Sequence, residues 1–363
     1  MAVKILEGRK IQKVGYSTMA VSLPTEWAKQ NSIKPGDLVF LVQEKDGTLK
    51  VLPSHKAQKE ESEELIIYAD ACKDQGMLER IIIGSYLLGR EVMRITSSTR
   101  IEKIHVDEVR KVIPKLIGLG ILEETSNSIL LQCSIDPTKF KLDMLIRRLS
   151  IISATILSET MQSLLDNDKS LAEEAVSREE GANTIYFLAV RLLISAQAKP
   201  EIAEQIGIED IVLIPAIRLI LQCLELIADY SQDIAKKIIL LQSNEKTLSQ
   251  DVIQRIYHLG ELVLTIFQKA VDCAFTRNLE ISNNLLQIND DIDVETERLI
   301  RELPAIPYLR AIVSSLDKIS DMGATIAELA INGALREPNK YVENIVKIVK
   351  HERIIPFQAK KGK

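Results

Sequence analysis

Aromatic residues are scarce in this chain of 363 residues: one Trp, eight Tyr and six Phe, 4% of the total. Leu and Ile are abundant instead, a balance that suits long helices packed on aliphatic side chains. Cysteine is rarer still. Cys72, Cys133, Cys223 and Cys273 lie far apart, without ligand spacing, and read as small buried apolar residues in a reducing compartment. The four histidines, His55, His105, His258 and His351, are isolated. No Ser/His/Asp set, Gly-rich phosphate loop or zincin motif occurs, so the common catalytic signatures are missing and the chain reads as a non-enzyme. No apolar run follows Met1-Ala2-Val3-Lys4, and no uninterrupted apolar stretch approaches the ~18 residues that span a bilayer. The expectation is a soluble, cytoplasmic protein that does not span a membrane.

The net charge of −5 conceals an asymmetry. Residues 1–56 hold nine Lys/Arg against five Asp/Glu, a net +4, so the remaining residues carry −9. A basic end on an acidic body points to a nucleic acid or a membrane surface as partner.

Turn chemistry divides the chain. Residues 1–53 read as β with one short helix: a strand-rich stretch from Ile11 to Leu23 broken at Gly15, a helix over Pro24–Asn31, a turn at Lys34-Pro35-Gly36-Asp37, and a hairpin around Asp46-Gly47. Residues 54–64 are a charged linker. Residues 65–135 form a small α+β unit of unassigned role, with a strand over 65–69, a helix over 74–93, a short strand over 100–104, a helix over 106–116 and a hairpin around Asn127. From 137 to 336 apolar residues recur at three- and four-residue steps, which predicts helices over 137–165, 168–197, 209–242, 247–287, 289–302 and 305–336. A tail helix, 338–350, and a frayed end complete residues 338–363.

Two segments of the helical region are near-copies. Leu224-Glu225-Leu226-Ile227-Ala228-Asp229, with Ile234-Ala235 after it, recurs 92 positions later as Leu316-Asp317-Lys318-Ile319-Ser320-Asp321, with Ile326-Ala327. Residues four apart lie on one helical face, so Glu225/Asp229 and Asp317/Asp321 stack two acids each in apolar surroundings. Like charges so placed repel unless neutralised, and a cation is one means. Asp168 through Asn183 likewise resembles Asn278 through Asp293. Two copies of a three-helix unit, about 137–242 and 247–336, account for both matches.

The segment Lys10-Ile11-Gln12-Lys13-Val14-Gly15-Tyr16-Ser17-Thr18-Met19-Ala20-Val21-Ser22-Leu23-Pro24, continued by Trp27, Ile33-Lys34-Pro35-Gly36-Asp37 and Val39, resembles the AbrB/SpoVT/MazE swapped-hairpin DNA-binding family. The resemblance implies that two chains interleave hairpins into a homodimeric head. It also implies that Arg9, Lys10 and Lys13 on the first strand, with Ser17 and Thr18 in the loop, contact DNA phosphates. Dimerisation alone and peptide partners are alternatives.

The two acid-bearing copies resemble the PhoU family, whose helical repeats carry Glu/Asp-x-x-x-Asp followed by Ile-Ala. Here Ala228 and Ser320 stand where Gly is common, Tyr230 and Met322 where His is common, and Asp233 and Thr325 where Asn is usual. The resemblance implies metal clusters, iron or zinc, on Glu225, Asp229, Asp317 and Asp321. Asp233, Glu179, Glu180, Asp290 and Asp293 are further candidates. An all-oxygen donor set also suits Mg or Mn. Together the resemblances imply a multidomain regulator: an all-β swapped-hairpin head, an α+β linker unit, and an all-α pair of three-helix bundles that senses. DNA at phosphate-uptake genes is the expected target. The alternative is an adaptor that binds a phosphate ABC transporter or a signalling kinase, with a head that only dimerises.

Overall fold

In the computed structural model the described residues are 8–43, 47–54, 64–242 and 248–343. They fall into two compact units, residues 1–63 and 64–363.

The first unit is two separate antiparallel hairpins and a short helix. β1 (Gln12–Val14) pairs with β2 (Thr18–Ala20), Val14 opposite Thr18, across a turn in which Gly15 takes φ +69°, the left-handed region that glycine enters without steric cost. Arg9 and Lys10, expected on the first strand, precede it. α1 (Thr25–Gln30) starts behind Pro24, whose fixed φ suits a helix entry. The turn at 34–37 closes through Asp37 N to Lys34 O (3.0 Å) and Lys34 N to Asp37 Oδ2 (2.7 Å). β3 (Val39–Gln43) and β4 (Leu49–Pro53) form the second hairpin; Asp46 of its expected turn lies outside the described residues. Among the described residues of this unit only Pro53 is buried, while Ile11, Val14, Met19, Val21, Leu38, Phe40, Leu41 and Leu49 are exposed.

The second unit begins with a four-stranded sheet, order β5-β6-β8-β7: β5 (Glu64–Tyr68), β6 (Val92–Thr96), β7 (Leu119–Glu124) and β8 (Ser128–Cys133). β5 and β6 run parallel and the other pairs antiparallel. α2 (Met77–Leu87) and α3 (Lys103–Val112) pack on it through Leu78, Ile82, Tyr86 and Val109 against Ile67, Met93, Ile95 and Leu131. Two expectations fail here. The helix expected over 74–93 stops at Leu87, where Gly89 takes φ +84°, and its last residues belong to β6. Val92-Met93-Arg94-Ile95-Thr96 alternates, with Met93 and Ile95 buried, so the period is two and not 3.6. Residues 100–104, expected as a strand, are instead the approach to α3 and its first residues.

Six long helices follow: α4 (Leu142–Asp166), α5 (Lys169–Ala198), α7 (Ile214–Gln242), α8 (Gln250–Thr276), α9 (Leu279–Glu302) and α10 (Leu309–Ala334). A short α6 (Pro200–Gln205), not anticipated, fills part of the break at Pro200. One apolar core runs through α4/α5/α7 and α8/α9/α10 alike. The helix expected over 247–287 ends at Thr276 and that over 289–302 begins at Leu279. Arg277 takes φ +53° and Asn278 caps α9 by accepting from Ile281 N (3.0 Å). The first repeat does the same, with Asn167 at φ +54° and Asp168 accepting from Leu171 N (3.2 Å). The tail helix expected over 338–350 is not present where the chain is described: Asn339 and Val342 pair in a bridge, and 344–350 lie outside.

Ile211–Gln242 is long and apolar enough to cross a membrane by length and composition. Arg218 and Glu225 interrupt its apolar run without lowering its average much. In the bundle Leu221, Leu224, Ile227, Ala228, Ile234, Ala235 and Ile238 of this helix are buried in the common core.

The α+β part and the bundle share one unit. Arg191 of α5, 6% exposed, donates to the carbonyls of Tyr86 (2.5 Å), Arg90 (3.0 Å) and Gly89 (3.3 Å), and its guanidinium lies over the Tyr86 ring. The four cysteines are free and buried.

Candidate functional site

The 92-residue repeat places Glu225 and Asp229 on α7, and Asp317 and Asp321 on α10, each pair one turn apart; Glu225, Asp229 and Asp317 are half-buried and Asp321 is exposed. What faces each pair differs.

Around the first pair, α5 contributes Glu179. Its carboxyl faces Asp229, and burial together with the Asp229 charge pushes its pKa up. Burial raises Asp229 as well, opposed by its contact with Glu179 and by Lys236. Glu225 is pushed up to about 7, first by burial and then by Asp229 and Glu179, against Arg218. Amides complete the shell. Asn183 Nδ2 donates to Glu179 Oε1, Gln232 Nε2 to Glu179 Oε2 (3.2 Å), and Gln222 Nε2 to Glu225 Oε2 (2.7 Å). Gln222 is itself held by Tyr186 OH (2.6 Å), which accepts from Arg218 Nη2 (2.8 Å).

The second pair meets α9. Burial, then Asp293 and Asp321, push Asp317 up; burial, then Asp321 and Asp290, push Asp293 up. Glu297 adds to both. Asn289 Nδ2 reaches Asp321 Oδ1 at 3.4 Å and accepts at Oδ1 from Ser320 Oγ. Asp317 Oδ1 and Thr296 Oγ1 are both buried, and the Thr296 hydroxyl beside Asp317 opposes the rise in its pKa.

Of the weaker sequence candidates, Glu179 and Asp293 join the clusters, and Asp290 stands exposed at the rim of the second. Glu180 is exposed on α5. Asp233 pairs with Lys237 and not with the cluster. Sequence reasoning missed Gln222, Gln232, Arg218, Lys236 and Thr296. Among the described residues no group of three His, Cys, Asp or Glu side chains is arranged to hold a metal ion. The donors are all oxygens, which suits hard cations. Amide donors reach both clusters: Asn183, Gln232 and Gln222 in the first and Asn289 in the second.

In the first unit Arg9, Lys10, Lys13, Ser17 and Thr18 are all exposed, with Lys13 opposite Met19 in the β1/β2 pair and Thr18 opening β2. Ser17 sits in the turn.

Comparison with known proteins agrees with this architecture. A family model of the PhoU domain matches residues 146–238, which cover α5 and all but the ends of α4 and α7, including Glu179, Glu225 and Asp229. A model for "Antidote-toxin recognition MazE, bacterial antitoxin" matches residues 12–59. A phosphate-specific transport system accessory protein PhoU homolog of Clostridium acetobutylicum is 24% identical over 160 residues, 43% of this chain and 68% of that protein. The crystal structure of PhoU from Pseudomonas aeruginosa aligns with a TM-score of 0.47 at 20% identity, over 54% of this chain and 95% of that one. This chain therefore carries a MazE-type antitoxin domain followed by a PhoU domain.

Proposed function

We propose that the chain is a homodimeric, DNA-binding regulator of phosphate uptake. The head binds DNA and the helical bundle senses the state that governs binding. The observation that carries this is the head itself: a MazE-type domain with cations on and just before its first hairpin and one buried residue among those described. Strands that expose Ile11, Val14, Phe40 and Leu41 are not stable alone, because too little apolar surface leaves water. A second copy supplies the missing half of the core, and the paired hairpins then present Arg9, Lys10 and Lys13 from both chains to one duplex. The PhoU domain ties the target to phosphate uptake, and the acid pairs provide it with a cation site: Mg or Mn by donor chemistry, iron or zinc by family resemblance.

The test is binding of the full chain to a promoter fragment of phosphate-transport genes, compared with an unrelated fragment at the same salt. Preferential binding of a dimer supports the reading; a dimer that binds neither fragment removes it. The second reading is an adaptor that engages a phosphate transporter or its kinase through the bundle, the head serving only to dimerise. It is favoured by the likeness to the Clostridium relative, a transport system accessory protein. Capture of the transporter's cytoplasmic subunits by a chain that ignores DNA selects it.

A further inference from the structure

We infer that β5 is a contact between two copies of this chain. It pairs antiparallel with the partner's β5 about a twofold axis at Ile66, and the two four-stranded sheets become one continuous sheet. This rests on the homodimer reading of the head and adds a second contact to it.

β5 is one edge of the sheet and β7 is the other. An edge strand offers a row of backbone N–H and C=O groups to any strand that approaches, and proteins guard such edges with charge, proline or a bulge. β7 is guarded: its register with β8 shifts between Ile121 and Glu123, and it ends in Glu123-Glu124. β5 is not guarded. After Glu64 it reads Leu65-Ile66-Ile67-Tyr68, with no charge, proline or bulge, and its outer side meets no strand among the described residues. Its side chains alternate. Leu65 and Ile67 pack into the core under α2 and α3, while Ile66 and Tyr68 are 49% and 65% exposed.

The occupant follows from the strand's own sequence. Two copies related by a twofold axis normal to the sheet run antiparallel, and such an interface is self-complementary. The register that uses every residue of β5 sets Ile66 opposite the partner's Ile66. Leu65 then meets the partner's Ile67, so the apolar layer under the helices continues from one copy into the next. Glu64, the one charged residue of the strand, lies opposite the partner's Tyr68, and no like charges meet. Arg94 holds Glu64 from within its own sheet and lowers its pKa, so that carboxylate already has its counter-charge.

A strand of five residues is too small to hold a dimer by itself, since stable interfaces bury about 1,200 Å² or more. The head supplies the rest. Ten residues, 54–63, lie between β4 and β5. A dimeric head therefore tethers two β5 strands on short leads, at an effective concentration on the order of millimolar. A strand of an unrelated protein lacks that advantage. Arg191 ties the bundle to the end of α2 in each copy, so pairing at β5 connects one bundle to the other.

The experiment is disulfide trapping in the full chain. The four native cysteines are free and buried, so a cysteine placed on the outer face of β5 is the one exposed thiol. Ile66 and Tyr68 are both exposed, and neither substitution threatens the core. Opposing Cα atoms of an antiparallel pair lie about 4.5–5.5 Å apart, within disulfide reach, whereas in this register the two copies of residue 68 lie about 14 Å apart. On mild oxidation with copper phenanthroline, Ile66→Cys should yield at least about tenfold more covalent dimer than Tyr68→Cys. If light scattering shows a dimer and Ile66→Cys yields no covalent dimer, or Tyr68→Cys yields as much, the strand pairing is overturned and the head dimer stands. A chain that is monomeric before oxidation removes both.

Discussion

Glu179 of α5 and Asp229 of α7 meet carboxyl to carboxyl, and burial pushes the pKa of each up. Two buried carboxyl groups in contact resist ionising together. The contribution of the first cluster to stability therefore depends on pH.

Glu225 lies beside this pair with its pKa pushed from 4.5 to about 7. Its folded value lies above its unfolded one, so the stabilisation is complete below about 4.5 and is lost as pH rises through about 7. Glu179 and Asp229 shift in the same direction. Urea midpoints in chelating buffer should fall from pH 5 to pH 8. Glu225→Gln should flatten that fall and raise the midpoint at pH 8. A parent whose midpoint rises over the same range would contradict the raised pKa values of this cluster.

Two glycines let helices touch. A Cβ on Gly260 of α8 would collide with Met161 Sδ of α4, and one on Gly323 of α10 would lie 3.2 Å from the Phe267 backbone of α8. Gly260→Ala and Gly323→Ala should each cost about 1–3 kcal/mol by overpacking. Gly181→Ala, on an exposed turn of α5 with nothing within 4 Å, should instead stabilise by about 0.5–1 kcal/mol. Thermal denaturation of the three variants checks the opposite signs.

Arg191 caps the end of α2 from inside the bundle. Arg191→Met keeps the aliphatic stem and leaves the Tyr86, Gly89 and Arg90 carbonyls without that donor, at a cost of about 1–3 kcal/mol. Amide exchange should rise at the end of α2 and the start of β6 before it rises in α8.

Much of this was legible from residues whose backbone demands are local. Gly15 and the Pro35-Gly36-Asp37 turn marked the head, and the 92-residue offset marked the acid pairs. The break at Arg277 was not, because a left-handed arginine leaves no compositional trace. The match between Asn278 and the helix-capping Asp168 was the available signal. β6 was hidden because Met93 and Ile95 continue the apolar pattern of the preceding helix, and only Arg94 between them betrays the change of period. The donors around the first cluster depend on two helices meeting. Even so, aligning Lys236 with Glu328 would have exposed the difference between the sites from sequence alone.

The most direct test of the central claim is the salt dependence of DNA binding by the full chain. If Arg9, Lys10 and Lys13 of two chains contact phosphates, six cations are engaged, and log affinity should fall against log salt with a slope of about −5. Lys13→Glu should weaken binding on every sequence and make that slope shallower by about 2. A dimer whose affinity is indifferent to salt, or unchanged by Lys13→Glu, would contradict the account.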